Sequence, residues 1–290
     1  MRYEGKLYRP PSEHNAYILQ ATIGCSWNRC VYCDMYRDKT YRVRDLSETL
    51  KDIAMAGAVA REEVTKVFVA DGDALGMPMG HWASILEKIQ IEFPKVRRVS
   101  CYAMASNVLE KSPEELRCLR ERGLSRVYIG PESGDDVTLK RIAKGSTFEE
   151  HVSAARLLHA VGIEQSMIVL LGVGGTERTR QHAEGTAALI TEMDPKFVSA
   201  LTTTVVPGTP LARMQERERF ELPSVAEMLH ELRAIVAHAK PTNAIFRTNH
   251  ASNYLPIRGV LPNDGPEIVS MIDAALSGAV ALRPEWTRGL

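Results

Sequence analysis

The sequence predicts an α/β fold in which strands and helices alternate around a mainly parallel sheet. Three observations carry that reading. Six apolar, β-rich runs recur, at Ala16–Ile23, Lys66–Ala70, Arg98–Tyr102, Arg126–Gly130, Gln165–Leu171 and Phe197–Val206. Helical patterns with one apolar face lie between them. No low-complexity linker interrupts the alternation, and 290 residues suffice to bury a large core. Such alternation builds βαβ units with right-handed crossovers. Six units close either as a doubly wound sheet or as an incomplete barrel, and periodicity does not choose between them.

Taken in order, the elements have local causes. The first run opens the sheet and stops at Gly24. Ser47–Ala60 starts with an N-cap type pair, Ser47-Glu48, and sets Leu50, Ile53, Ala54 and Ala58 on one face, with Gly57 as its weak point. Trp82–Phe93 repeats Trp82, Ile85, Leu86 and Ile89. Ser112 as N-cap, Pro113 at the first position and two acids in the first turn start a helix that ends near Gly123. Phe148–Ala160, Arg178–Met193, Ser224–Ala239 and Pro266–Ser277 complete the helical set, with loops and short elements after Thr242. The expected organisation is a core over residues 1–212, lead-in included, and a C-terminal extension over 213–290 that closes it.

Lys plus Arg and Asp plus Glu both total 36, so the formal net charge is zero. That balance argues against a polybasic nucleic-acid or membrane surface. The longest uncharged stretch, Phe197–Ala212, is too short to span a bilayer, and no apolar run follows Met1-Arg2. The chain reads as cytoplasmic, with no membrane partner and with nucleic acid disfavoured though a local basic patch stays open, and its five Cys as reduced.

Three of those Cys sit together in Cys25-Ser26-Trp27-Asn28-Arg29-Cys30-Val31-Tyr32-Cys33, immediately after the first strand. Strand carboxyl ends are where α/β folds place chemistry. Structural zinc takes four ligands, and no second Cys pair exists; His14 lies at the strand's opposite end. Three thiolates suit a [4Fe–4S] cluster with one iron left open. Cys101 reads as core and Cys118 as a helix residue. His81, His151, His159, His182, His230 and His238 fall in helical patterns and read as solvated or half-buried. Arg42 and Arg44 either neutralise a substrate acid or line the surface.

The cysteine loop resembles that of the radical S-adenosylmethionine (SAM) enzymes. Their commonest spacing leaves three and two residues between the Cys, with an aromatic before the last. Here the gaps are four and two, and Tyr32 is the aromatic. Further stretches follow successive strands in the family's order. Asp71-Gly72-Asp73 stands where the family has a Gly-Gly-Glu type turn that holds the SAM ammonium. Gly130-Pro131-Glu132-Ser133-Gly134, with Lys144-Gly145 downstream, looks like its Gly-x-Glu-Ser-Gly stretch. Gly172-Val173-Gly174-Gly175 would allow close backbone approach to the adenosine. Ser106 and Asn107 either bond a ribose or cap the next turn.

The resemblance implies an incomplete (β/α)6 radical SAM barrel with a C-terminal extension. It implies a single [4Fe–4S] cluster on Cys25, Cys30 and Cys33. It also implies S-adenosyl-L-methionine contacted by Tyr32, Asp71, Gly72, Asp73, Ser106, Asn107, Glu132, Gly172 and Gly174. Reductive cleavage would give methionine and a 5′-deoxyadenosyl radical that takes hydrogen from a small-molecule substrate. A one-electron donor such as a flavodoxin or ferredoxin would reduce the cluster. No cobalamin-sized domain precedes the barrel, so cobalamin-dependent methyl transfer is not expected. The rival readings are a non-catalytic iron–sulfur electron carrier and an RNA-modifying radical SAM enzyme; the latter usually brings a basic domain. In the tail, Phe246–Tyr254 gathers a cation, an imidazole and a phenol, so Arg247, His250 and Tyr254 are the candidate substrate-contacting catalytic residues.

Overall fold

The structure, a computed structural model, describes residues 2–289. In chain order its elements are β1 (Tyr17–Gln20), β2 (Thr22–Ile23), β3 (Arg42–Val43), α1 (Leu46–Ala60), β4 (Lys66–Ala70), α2 (Met79–Glu92) and β5 (Arg98–Tyr102). Then come α3 (Ala105–Leu109), α4 (Pro113–Glu121), β6 (Leu124–Glu132), α5 (Asp136–Arg141), α6 (Phe148–Val161), β7 (Glu164–Leu171) and α7 (Thr179–Met193). The chain finishes with β8 (Phe197–Thr202), α8 (Pro210–Glu216), α9 (Val225–His238), β9 (Ala244–Arg247), β10 (Arg258–Leu261) and α10 (Gly265–Leu276).

The main sheet runs β1-β4-β5-β6-β7-β8-β9-β10. Pairings β1–β4, β4–β5, β5–β6, β7–β8 and β8–β9 are parallel, and β9–β10 is antiparallel. Each crossover adds its strand beside the previous one. A doubly wound sheet would reverse direction at a switch point, so this order selects the barrel-type winding. β2 and β3 form a separate antiparallel ribbon, Thr22 opposite Val43. The predicted first strand is thus split: after Ala21 the chain leaves β4 for β3.

Two compact units make up the chain. The first comprises Met1–Asn28, Met35–Ile129 and Arg156–Gln165; the second comprises Arg29–Asp34, Gly130–Ala155 and Ser166–Leu290. The junction at residue 212 falls inside α8, and 213–290 lie in the second unit.

In the first unit, α2 buries Trp82, Ile85, Leu86 and Ile89, the stripe its periodicity predicts. The α4 start is a full capping box: Ser112 Oγ accepts from Glu115 N–H at 3.2 Å and Glu115 Oε2 from Ser112 N–H at 2.8 Å. Helix α1 departs from expectation. Its N-cap is Asp45, which accepts from Glu48 N–H at 3.1 Å, and its buried face is Thr49, Asp52, Ile53 and Gly57. The face is turned because Asp52 is drawn inward by Arg44, 2.9 Å away. Arg44 is thereby a buried structural cation rather than a surface residue.

In the second unit, α9 begins with another capping box, Ser224 and Glu227. Its apolar face packs on α7 and α10. Met167, Val169, Leu189, Ile190, Val198, Leu232, Ile235 and Phe246 belong to one buried cluster. The short elements β3, α3, α5, α8 and β10 have no periodic signal, being too brief to show one.

Candidate cofactor site

In the first unit the β4 end is laced to the loop that carries Cys25. Gly72 N–H donates to Gly24 O at 3.1 Å, and Gly24 N–H donates to Asp71 Oδ2 at 3.0 Å. Asp71 is fully buried and also accepts from Lys39 Nζ at 2.8 Å and Gln20 Nε2 at 3.1 Å. Asp73, likewise buried, accepts from Ser26 N–H at 3.0 Å, from the Ser26 hydroxyl and from the Asn107 side chain. Burial raises its pKa, and those hydrogen bonds oppose the rise. A Cβ on Gly72 would stand 2.7 Å from the Cys25 Cβ, so only glycine lets the turn come this near the cysteine. Asn28, at φ 41°, turns the loop in the left-handed region and directs its N–H at Cys25 Sγ, 3.5 Å away.

In the second unit the Cys30–Cys33 half of the loop is fixed by backbone bonds. Val31 N–H donates to Ile142 O at 2.9 Å, and Leu211 N–H to Val31 O at 3.0 Å. Tyr32 OH donates to Glu132 Oε1 at 2.9 Å, and Lys144 Nζ donates to the same oxygen at 3.1 Å. Burial raises the Tyr32 pKa, and Glu132, Cys30 and Cys33 raise it further. Burial works against the Lys144 charge, but Glu132, Cys30 and Cys33 outweigh it, and the pKa is raised. Glu132 has φ 71°. Its carboxylate covers Gly130, where any Cβ would collide with Oε1.

None of the five Cys forms a disulfide. Among the described residues, no three His, Cys, Asp or Glu side chains are gathered closely enough to hold a metal ion. A four-iron cluster bonds each thiolate to a different iron, so its cysteines need not converge as the ligands of one ion must. Three half-buried thiols on a loop anchored at both ends, two of them beside a buried cation, fit that donor chemistry.

The other predicted residues have local roles. Asn107 Oδ1 accepts from Met104 N–H at 2.8 Å and caps α3, while Ser106 O accepts from Glu110 N–H. Gly172 N–H donates to Glu231 Oε2 at 2.6 Å, and its Cβ direction meets Met228; that of Gly174 meets His182. Arg247 Nη1 donates to Phe246 O at 2.8 Å. His250 Nδ1 accepts from Ser252 N–H at 3.1 Å. Tyr254 OH donates to Glu285 Oε2 at 2.7 Å, under an Arg288 guanidinium 3.9 Å from its ring centre. Asn253 and Ser252 tie this loop to Ala200 and Thr202, at the carboxyl end of β8.

Two histidines correct the sequence reading: His151 and His182 are fully buried, not solvated or half-buried. His182 lies on the buried stripe of α7 with Ala183, Thr186, Ala187 and Ile190, a spacing visible in the sequence. The same holds for Glu231 on α9, between Met228 and Leu232. Lys144 was part of a sequence stretch; its bond to Glu132 is what the fold adds.

Residues 19–190 match the Radical SAM superfamily, more than half of the chain. The chain belongs to the radical SAM superfamily. Membership implies SAM, a [4Fe–4S] cluster and radical chemistry initiated by SAM cleavage. This radical SAM protein is 30% identical over 167 residues to the 4′-phospho-dehydrooxetanocin synthase of Priestia megaterium, 51% of this chain and 22% of that one. It is 21% identical over 199 residues to the heme chaperone HemW of Bacillus subtilis, 67% of this chain and 52% of that one. The chain thus spans about a fifth and about half of these relatives. Among solved structures it resembles coproporphyrinogen III oxidase (HemN) from Escherichia coli, with a TM-score of 0.57, 14% identity and coverage of 77% and 51% of the two chains. It also resembles methylornithine synthase (PylB), with a TM-score of 0.53, 18% identity and coverage of 76% and 61%. These likenesses establish the radical SAM partial-barrel fold. Among the described residues no helix is long and apolar enough to cross a membrane.

Proposed function

We propose that Cys25, Cys30 and Cys33 hold one [4Fe–4S] cluster, and that the chain binds SAM at its open iron to abstract hydrogen from a small-molecule substrate. One observation supports this most: Tyr32, inside the cysteine loop, is hydrogen-bonded to Glu132, the acid of the Gly130–Gly134 stretch. Two of the stretches that resemble the family are thus bonded to each other in the fold. When bound, the reduced cluster and SAM supply the radical that takes the substrate's hydrogen.

The protein's residues do the rest. Tyr32 and Lys144 orient Glu132, whose other oxygen is available to an ammonium. Lys144 offsets negative charge at Cys30 and Cys33. Asp71 and Asp73 fasten the Cys25 loop, and Gly72 lets the β4 end lie against it. Arg247, the last residue of β9, serves a substrate anion, and His250 and Tyr254 belong to the loop that follows it. A flavodoxin or ferredoxin delivers the electron.

Anaerobic reconstitution is expected to give about four irons per chain, lost in Cys25→Ala, Cys30→Ala and Cys33→Ala but kept in Cys101→Ala and Cys118→Ala. Dithionite-reduced protein is expected to release 5′-deoxyadenosine on chromatography. Stoichiometric zinc with no iron uptake would overturn the cluster; iron without any 5′-deoxyadenosine would turn the reading to an electron carrier.

A further inference from the structure

Glu132 holds a left-handed backbone, φ 71°. A residue with a Cβ persists there only where its surroundings over-determine it. Its side chain meets Tyr32 and Lys144, but the restraint on its backbone comes from the next residues. Ser133 is fully buried. Its Oγ accepts from Asp135 N–H at 3.0 Å and lies 2.8 Å from Nδ1 of His182. Thr186 Oγ1 lies 3.4 Å from the same nitrogen. Burial lowers the His182 pKa to about 4 and so favours the neutral imidazole. Gly134 N–H donates to Thr186 Oγ1 at 3.1 Å, one turn further along α7. Helix α7 therefore grips two successive residues after Glu132.

His182 is backed in turn by α9. Its Nε2 is 3.8 Å from Oε2 of Glu231, and that oxygen accepts from Gly172 N–H at 2.6 Å. Glu231 is 2% exposed, and burial raises its pKa to about 8 as it lowers that of His182, so enclosure disfavours the charged form of both groups. His182 and Glu231 are themselves enclosed, so they act through the turns they hold.

We infer that His182 is a positioning residue for Glu132: by holding Ser133, it fixes the strained turn that aims the Glu132 carboxylate at Tyr32 and Lys144. This rests on the reading of Glu132 as a SAM contact. A packed core histidine would explain the burial, but it would not require a bonded serine directly after a left-handed glutamate.

The test compares Ser133→Ala, His182→Phe, His182→Asn and Glu132→Gln, alone and combined. Asn can place an oxygen near the Nδ1 position and serves as the conservative variant. The first readout is SAM affinity of the reconstituted protein by equilibrium dialysis. The second is amide hydrogen exchange over 130–136 in the metal-free protein. Ser133→Ala and His182→Phe are expected to keep the iron content, weaken SAM about tenfold, the size of one lost hydrogen bond, and speed exchange over 130–136. His182→Asn is expected to regain most of the affinity. In a Glu132→Gln background neither change should weaken SAM further, because the positioned group is already gone. If Glu132→Gln weakens SAM while Ser133→Ala leaves affinity and exchange unchanged, the positioning role is overturned, even where His182→Phe fails to fold. Unchanged affinity in Glu132→Gln overturns the SAM role of Glu132 and this proposal with it, a result distinguishable from failure of His182 alone.

Discussion

The β4 end and the β6 end both present acids, in opposite states. Asp71 and Asp73 are fully buried and accept from backbone N–H groups of the Cys25 loop as well as from Ser26, Gln20, Asn107 and Lys39. Glu132 is 7% exposed, sits on a strained backbone, and meets two long side chains, Tyr32 and Lys144. Acids that accept from the backbone N–H groups of a neighbouring loop fasten that loop, although Asp71 Oδ1 has no partner among the described residues. An acid held by side chains can exchange partners with a ligand at lower cost. The first arrangement suits a fastener, and the second suits the SAM contact proposed for Glu132.

The largest effect expected from this contrast is at Asp71. Asp71→Ala leaves the Gly24 N–H without its acceptor and Lys39 without its charge partner, and should cost about 3–5 kcal/mol in urea unfolding, as breaking a buried ion pair does. A loss under half of that would place Asp71 among the contacts instead. Glu132→Gln should show the reverse profile. Unfolding should cost less than in Asp71→Ala, because the Gln Oε1 still accepts from Tyr32 and Lys144, while SAM binding weakens by about 1.5–3 kcal/mol, the range for hydrogen bonds to charged groups. A stability loss as large as that of Asp71→Ala would erase the distinction.

The smallest expected effect uses His151, a buried histidine outside both turns. Among the described residues neither of its ring nitrogens has a hydrogen-bond partner. Burial, helped by Lys144, lowers its pKa to about 3 from 6.5. The unfolded chain therefore binds a proton from pH 6.5 downward while the folded chain resists until about 3. The destabilisation is absent above pH 6.5 and grows as the pH falls through that window. His151→Leu should raise stability by about 1 kcal/mol at neutral pH, since it removes unsatisfied polar atoms. It should raise it more at pH 5, so the acid limb of the stability curve flattens. A curve parallel to that of the parent would rule out His151 as a source of acid lability.

Strands β4 and β5 were legible to the residue, because each is a compact β-rich run of five residues set between helical patterns. The capping box of α4 was legible because Ser112 and Glu115 are neighbours in sequence. The rotated face of α1 was not, because Asp52 is buried by Arg44, a residue outside the helix. The Ser133–His182 bond joins residues 49 apart, and the Gly172–Glu231 bond residues 59 apart. A histidine or glutamate on a helical stripe looks amphipathic until its partner is known.

What the sequence determined alone was local or periodic: the βα alternation, the strand-end position of the cysteine loop, and three thiols within nine residues. Those features follow from backbone periodicity and from ligand chemistry that neighbouring residues carry together. The winding of the sheet, the partners of each acid, and the burial of His151, His182 and Glu231 were decided by tertiary structure. Charge state and hydrogen-bond role depend on desolvation and on groups brought from distant segments, and neither is encoded in spacing along the chain.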